Sequence, residues 1–359
     1  MRLTDTLWRG GVVALAALTV AFATAPTVTA ATPAVSTPNQ PFNFTVSPPS
    51  IAVETTPGVP VTVDVRIQNQ SAAAEQVKAT LMKFTAQSDT GLPNLRNFTK
   101  TDEFANWAQL SPTSFTAEPN VWTSVKLTIT PPKDAAFGYY YAVMFSRQGT
   151  TPQAGTANLL GSVASLVLLD VKAPGAVRKA NVAEFSTKTK SVEFLPVEFT
   201  AKIHNDGNTH VGVHGTISIS KGGKLVDEIK VNDSNGYILP GSTRVFTTKW
   251  TDGTPSYQIV KDSNGQPVLD GQGIIQQKLK WNNFSSNKLR FGKYDARLVM
   301  IYNDGQGDVS TEGRLTFWVI PWRIIIPIAI VLLLGLAGVW ALAVRPVLRR
   351  RSLSAKHRA

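Results

Sequence analysis

Residues 61–69 read Val-Thr-Val-Asp-Val-Arg-Ile-Gln-Asn. Val61, Val63, Val65 and Ile67 take alternate positions, with Thr62, Asp64, Arg66 and Gln68 between them. Apolar, β-branched side chains repeating every second residue are the pattern of a strand with one face buried. The same alternation extends outward from this stretch. Before the Pro57-Gly58 turn, Phe42, Phe44 and Val46 alternate with polar residues, and Val77, Thr80 and Met82 follow in a third short run. Residues 121–129 alternate again and stop at Pro131-Pro132. Residues 139–145 and 163–171 are more continuously apolar strands. The one helix expected here is residues 101–110, TDEFANWAQL, with Thr101 as its cap and Phe104 and Trp107 on one face.

After residues 172–178 (KAPGAVR), which read as a hinge, the pattern resumes at 182–185, 192–199 and Ile203. Asn205-Asp206-Gly207-Asn208 predicts a turn, and Lys221-Gly222-Gly223 a tight hairpin between strands 211–219 and 225–231. Further strands are expected at 243–250, 257–260, 267–269, 274–281, 294–302 and 315–319. The spacing predicts an all-β chain of two tandem immunoglobulin-like sandwiches, residues 42–171 and 180–319, joined by a 172–179 linker and preceded by an extended Pro/Ser/Thr-rich lead-in at 32–41.

The two ends of the chain carry a different signal. Residues 1–31 have a basic start (Arg2, Arg9), an apolar run from Val12 to Ala25 and small-residue cleavage candidates ending at Ala25 and Ala30, the parts of a signal peptide. Residues 324–344 carry no charge, enough to cross a hydrocarbon core of about 30 Å as a helix. Phe317, Trp318 and Trp322 precede this run, and Pro327 is expected in its first turn. Residues 320–344 are therefore expected to be a transmembrane helix anchored in the lipid bilayer, with 345–359 as a basic cytoplasmic tail and the sandwiches outside, a single-pass type I arrangement. The tail also explains the charge. Of the net +12, +6 belongs to the last 15 residues, +1 to the leader and +1 to Arg323, leaving +4 for the rest, which does not read as nucleic-acid binding. With 0 cysteines the chain has no disulfides, thiol nucleophile or Cys-ligated metal, and packing alone must hold it. A cysteine-free exported chain suits a bacterial surface.

Phe44-Thr45-Val46-Ser47-Pro48-Pro49, the Pro57-Gly58 turn, residues 61–69 and Gly138-Tyr139-Tyr140 together resemble the first domain of the WxL-interacting cell-surface proteins of bacteria, the DUF916 group. Residues 205–210 (NDGNTH), Leu239-Pro240-Gly241-Ser242 and Gly292-Lys293-Tyr294 resemble elements of that family's second domain. The resemblance implies a first domain that binds peptidoglycan and a second that binds a surface protein partner. It carries over no ligand residue.

Chemistry-bearing constellations are few. His204, His210 and His214 are three histidines that a zinc ion would need, but polar strand and turn positions explain them more simply. Asp262-Ser263-Asn264-Gly265 with Asp270 alternates oxygens as a calcium loop does, yet lacks the terminal Glu and reads as a hairpin turn. Tyr139, Tyr140 and Tyr141 share one strand, so with a single buried face some would face out and could stack on a sugar; packing is the simpler account. Asn43, Asn97 and Asn283 head formal glycan-acceptor triplets. Neither Gly-x-Ser-x-Gly nor a P-loop occurs, and Gly271-Gln272-Gly273 lacks the third glycine of a dinucleotide loop. No catalytic, cofactor or metal residue is assigned and no cofactor is expected. The expectation is a non-enzymatic, membrane-anchored binding or adhesion protein recognising wall polymer or a surface protein. The rivals are a wall-modifying enzyme and an accessory sensor signalling through a membrane partner.

Overall fold

The computed structural model describes residues 43–88, 90–148, 155–156, 161–234, 236–281 and 288–345. The expected leader, the lead-in, most of the basic tail and the Asn283 triplet lie outside the described residues.

The chain is all-β, two tandem immunoglobulin-like sandwiches followed by one helix. In the first sandwich one sheet runs β1 (Phe44–Ser47), β3 (Val61–Asn69), β8 (Trp122–Ile129), β6 (Ala108–Ser111). The facing sheet runs β10 (Gly155–Thr156), β5 (Pro93–Arg96), β4 (Glu75–Ala86), β9 (Phe137–Arg147), β11 (Ser162–Val171), β2 (Ser50–Thr55), with β7 (Ser114–Ala117) also on β4. Pro48 and Pro49 offer no N–H, so the ladder of β1 ends there and the chain crosses to the other sheet, where β2 lies parallel to β11. Val63, Val65 and Ile67 of β3 point inward against Tyr141, Val143 and Phe145 of β9, as the alternation requires.

The second sandwich pairs a sheet of β12 (Ala180–Thr187), β14 (Val197–Asn205) and β18 (Thr243–Trp250) with one running β13 (Ser191–Val192), β22 (Asp308–Val319), β21 (Gly292–Asn303), β15 (Val211–Lys221), β16 (Lys224–Val231); β17 (Tyr237–Ile238) joins β15. Gly222 and Gly223 both have positive φ and close the β15–β16 hairpin. The core centres on Trp250, Tyr294 and Phe317; the last two rings stack at 5.6 Å, and Trp250 Nε1 donates to Asp227 at 2.8 Å. A separate hairpin, β19 (Ser256–Ile259) with β20 (Gln277–Lys280), projects from the sequence between β18 and β21.

The two sandwiches share one device. Asn69 ends β3 and Asn205 ends β14, and both are fully buried. Asn69 Nδ2 donates to Ala73 O (2.8 Å) and Ala117 O (2.9 Å), while its Oδ1 accepts Ser71 N–H at 2.9 Å. Asn205 Nδ2 donates to Thr209 O and Ile238 O, both at 2.9 Å, and its Oδ1 accepts Gly207 N–H at 2.8 Å. In each domain one side chain thus closes the turn into the next long strand and pins a short strand that pairs with it.

Two expectations are corrected, and a third, the packing of the tyrosine run, is met. Residues 101–110 do not form a helix. A single 3₁₀ turn, Glu103–Trp107, leads directly into β6. Asp102 organises this corner, not Thr101: its carboxylate accepts Thr99 N–H and Lys83 Nζ, both at 2.6 Å, and Lys83 first and Thr99 second hold it down at about 2. Phe104 and Trp107 do pack on the core. The tyrosines are packed on both sides of their strand, Tyr141 buried and Tyr139 and Tyr140 partly so, in accord with the packing account. Tyr139 and Tyr141 face the first core, where Tyr141 Oη donates to Phe104 O at 2.9 Å; Tyr140 points the other way, into the second sandwich. Finally, α1 begins at Trp322 and runs to Val339, continued by a π-helical turn, Trp340–Val344. Pro327 therefore lies in the second turn and removes the N–H that Arg323 O would accept. Among the described residues Trp322–Leu342 is the one helix, 21 residues, long and apolar enough to cross a membrane, and none of it is buried in the rest of the protein.

Replacing Asn69 or Asn205 by alanine strips two buried carbonyls of their donor. Each variant is expected to lose about 2–4 kcal/mol in urea denaturation, and equal stability to the wild type would mean the side chain is dispensable.

Candidate ligand groove between the sandwiches

The strands β4, β9 and β11 alternate in both directions because both of their faces are covered. Val77, Tyr141, Val143 and Val167 face the first core, and Met82, Phe84, Ala142, Met144 and Leu168 face away from it, against Leu239 of the second sandwich. Two glycines permit the close approach at this joint. A Cβ on Gly207 would sit 2.2 Å from Val177 O in the linker, and one on Gly91, whose φ is already +67°, would sit 2.5 Å from Thr243 O. Asn208 clasps the linker, accepting Val177 N–H on Oδ1 at 2.8 Å and donating from Nδ2 to Gly175 O at 2.9 Å. Thr90 O accepts Val245 N–H at 3.1 Å, so the 87–92 turn of the first sandwich occupies the edge of β18.

One side of the joint is polar. The His210 ring meets Tyr140 at 5.9 Å and Tyr237 at 5.2 Å, both edge to face, and its buried Nδ1 has no hydrogen-bond partner among the described residues. Arg178 bridges buried Asp170 and Glu54, and Lys172 Nζ lies 2.5 Å from Glu54. Burial pulls His210 down to about 4; Asp170 and Glu54 oppose this and Arg178 adds to it. Burial likewise pushes the Tyr140 phenol up, with Asp170 adding to the shift. Both rings are neutral at pH 7.

The other side is a groove of about 260 Å³. Phe84, Pro93, Leu166 and Leu168 form the wall from the first sandwich, and Tyr237 and Leu239 the wall from the second. Its one charged lining residue is Arg244. On β18, Arg244 shares a face with the core residues Phe246 and Trp250 and sits opposite the core residue Ile203. Its guanidinium lies over the Phe246 ring at 5.4 Å, against the backbone of Gly236, and Nη1 donates to Tyr237 O at 2.7 Å. No carboxylate lies within ion-pair distance among the described residues, and burial alone draws its pKa below the ordinary value. A half-buried cation with donors left over in an apolar slot is built to receive an anionic group.

The residues singled out from the sequence go elsewhere. His204 Nδ1 meets Thr243 Oγ1 at 2.9 Å, His214 is exposed on β15, and His210 is in the joint; the described residues hold no cluster of metal-ligating side chains. Asp262 and Asp270 spend their oxygens on their own turns, each accepting two backbone N–H groups at 2.8–2.9 Å. Asn43 and Asn97 are exposed. Sequence reading passed over Arg244, although a lone arginine in register with Phe246 and Trp250 is a visible signal. Asp170, the one charge in the apolar run of β11, is another.

No protein-family model matches the chain, and no curated protein is similar to it in sequence. Among solved structures it is similar to the class 5 fimbriae chaperone CfaA (16% identity, 75% of this chain and 98% of that one, TM-score 0.35), the YadV chaperone (13%, 76% and 99%, 0.32) and the Pseudomonas aeruginosa CupB2 chaperone (11%, 76% and 97%, 0.32). The two-sandwich architecture is read from the strand pairings of this chain itself.

The unfolded chain binds a proton at His210 near pH 6.5 and the folded chain only near 4. Stability from this group is therefore complete above pH 6.5 and falls as pH drops through that window. Between about pH 7.5 and 4.5 the loss is expected to be about 2–3 kcal/mol. Thermal unfolding of His210→Gln across the same range should lack this component; an unchanged pH slope would count against it.

Proposed function

We propose that this chain is a membrane-anchored binding protein of the bacterial envelope, displayed outside the cell, whose interdomain groove takes a carboxylate-bearing segment with an apolar flank. The observation that carries the reading is Arg244, a half-buried cation with no carboxylate partner among the described residues, in a groove whose walls are mostly apolar. The peptide stems of wall polymer and the segments of surface proteins both offer carboxylates beside apolar side chains, which accords with the resemblance to WxL-interacting proteins. In that resemblance the first domain serves wall polymer and the second a protein partner; the groove draws on both domains. An enzymatic reading finds less support, because His204, His210 and His214 lie in three separate environments.

The anchor is α1. About 21 residues at 1.5 Å each match the hydrocarbon thickness. Arg345 and the tail arginines Arg349, Arg350 and Arg351 follow it, which favours a cytoplasmic tail and an external pair of sandwiches.

Two experiments test this reading. Purified wild-type protein is expected to be retained on wall sacculi and Arg244→Met to bind about tenfold or more weakly, since a charge-assisted hydrogen bond is lost, while its melting temperature stays level or rises. Equal retention of the two would remove the groove from the reading, and no retention of the wild type would remove the wall polymer. For topology, the natural lack of cysteine makes single-cysteine variants direct reporters. On intact cells a membrane-impermeant maleimide should label Ser310→Cys at once and Ser354→Cys only after permeabilisation; the reverse order would invert the topology.

A further inference from the structure

The projection beyond β19 and β20 has no core of its own. Residues 261–267 and 271–278 are exposed throughout, Leu269 at 55% and Ile274 at 60%, with Ile259 and Ile275 also exposed. Its shape is nevertheless fixed. The chain makes the same turn twice, eight residues apart. Asp262 Oδ1 accepts Asn264 and Gln266 N–H, and Asp270 Oδ1 accepts Gln272 and Ile274 N–H; Gly265 and Gly273 follow at the same offset, each with φ +78°. Between the turns three backbone bonds close a ring: Val260 N–H to Gln276 O, Val268 N–H to Val260 O and Gln276 N–H to Val268 O, each 2.9 Å. A rigid frame thus holds isoleucine and leucine side chains out in solvent, the reverse of what hydration favours.

The location of this frame explains the exposure. Its base is at the start of α1. Arg323, in the first turn of the helix, donates to Tyr257 Oη at 3.4 Å and faces Glu193 at 3.4 Å. Phe194 packs on Tyr257 and on Trp281, which ends the projection. Half-exposed Trp281, Phe291, Trp318 and Trp322 come from segments that meet at this end of the domain, where Gly292 pairs with Val319. Such rings mark a membrane interface. Tyr257 pairs with Leu279, and Ile274 is five residues further, at most about 17 Å of extended chain. The basic residues agree. Lys261, Lys278 and Lys280 have no carboxylate within ion-pair distance among the described residues, while Lys288 and Arg290 are both held by Asp252.

We infer that the 259–280 projection is a second membrane contact: Leu269, Ile274 and Ile275 enter the outer interfacial layer beside α1, and Lys261, Lys278 and Lys280 meet anionic headgroups. This rests on the reading of α1 as a membrane span. Two contacts with the bilayer fix the groove's height and bearing over it.

The test uses the full chain in nanodiscs of phosphatidylcholine with phosphatidylglycerol. Nitroxide labels are placed one at a time at Leu269→Cys, Ile274→Cys, Ile275→Cys, Leu333→Cys in α1 and Ser310→Cys. Ser310 is exposed nine residues up β22 from Val319, about 30 Å away. Relaxation by oxygen is compared with relaxation by a water-soluble nickel chelate. The three projection labels are expected to lose nickel accessibility relative to Ser310 and to move toward the oxygen-dominated value at Leu333. Substituting Lys261, Lys278 and Lys280 together with glutamine should restore part of the nickel accessibility. Water-like values at all three projection sites with an oxygen-dominated Leu333 overturn the inference and point to a protein partner for these side chains. A nickel-accessible Leu333 overturns the membrane span itself, and the inference with it.

Discussion

One sheet with two buried faces governs this molecule. In β4, β9 and β11 the residues on one side complete the first sandwich, and those on the other would leave Met82, Phe84, Met144 and Leu168 as an open apolar patch. Hydration makes such a patch costly, and the second sandwich is what covers it. Leu239 enters the middle beside Tyr237 and Tyr140, and the groove is space that the contact leaves unfilled. The burial of His210 follows from the same contact. The linker is short and clasped by Asn208, so the second domain is a fixed lid on the first rather than a bead on a string.

Three charges are drawn into the interior, two of them fully buried, and their treatment differs. Glu75, at the start of β4, is buried and met by Arg147 through two hydrogen bonds of 2.8 Å. Asp170, near the end of β11, is met by Arg178 from the linker. Among the described residues Arg244 is given a carbonyl and a ring but no carboxylate. The contrast between two paired charges and a third with no carboxylate among the described residues is what the proposed anion-binding role of Arg244 rests on.

The alternation in residues 61–69 was enough to read the fold, because a surface strand writes its burial pattern directly into its sequence. Where both faces are covered that code vanishes, and so the run Tyr139-Tyr140-Tyr141 predicts a strand but not what its second face meets. Ser50–Thr55 was missed for a related reason: it continues a strand across two prolines and pairs in parallel with residues more than a hundred positions away. The amphipathic spacing of Phe104 and Trp107 fits a single 3₁₀ turn as well as a helix, and only the pairing of Ala108 with Ile129 decides between them. The duplicated asparagine was legible in retrospect. Arg66-Ile67-Gln68-Asn69 and Lys202-Ile203-His204-Asn205 repeat basic, isoleucine, polar, asparagine, each six residues before the next long strand. The groove was the least legible feature, since its walls come from four distant segments and its one charge is conspicuous only once the register of β18 is known.

The last strand has a mechanical consequence. β22 ends at Val319 and α1 begins at Trp322, with Ile320-Pro321 as the whole connection. On the proposed reading of α1 as an anchor, a tug on a ligand held by the sandwiches pulls along the axis of β22. That strand is paired with β21 over twelve consecutive positions, from Asn303↔Asp308 to Gly292↔Val319. Force directed along such a ladder strains its hydrogen bonds side by side in shear, so they share the load instead of parting one after another like a zip. The join between sandwich and anchor is thus also the part of the molecule best arranged to bear tension.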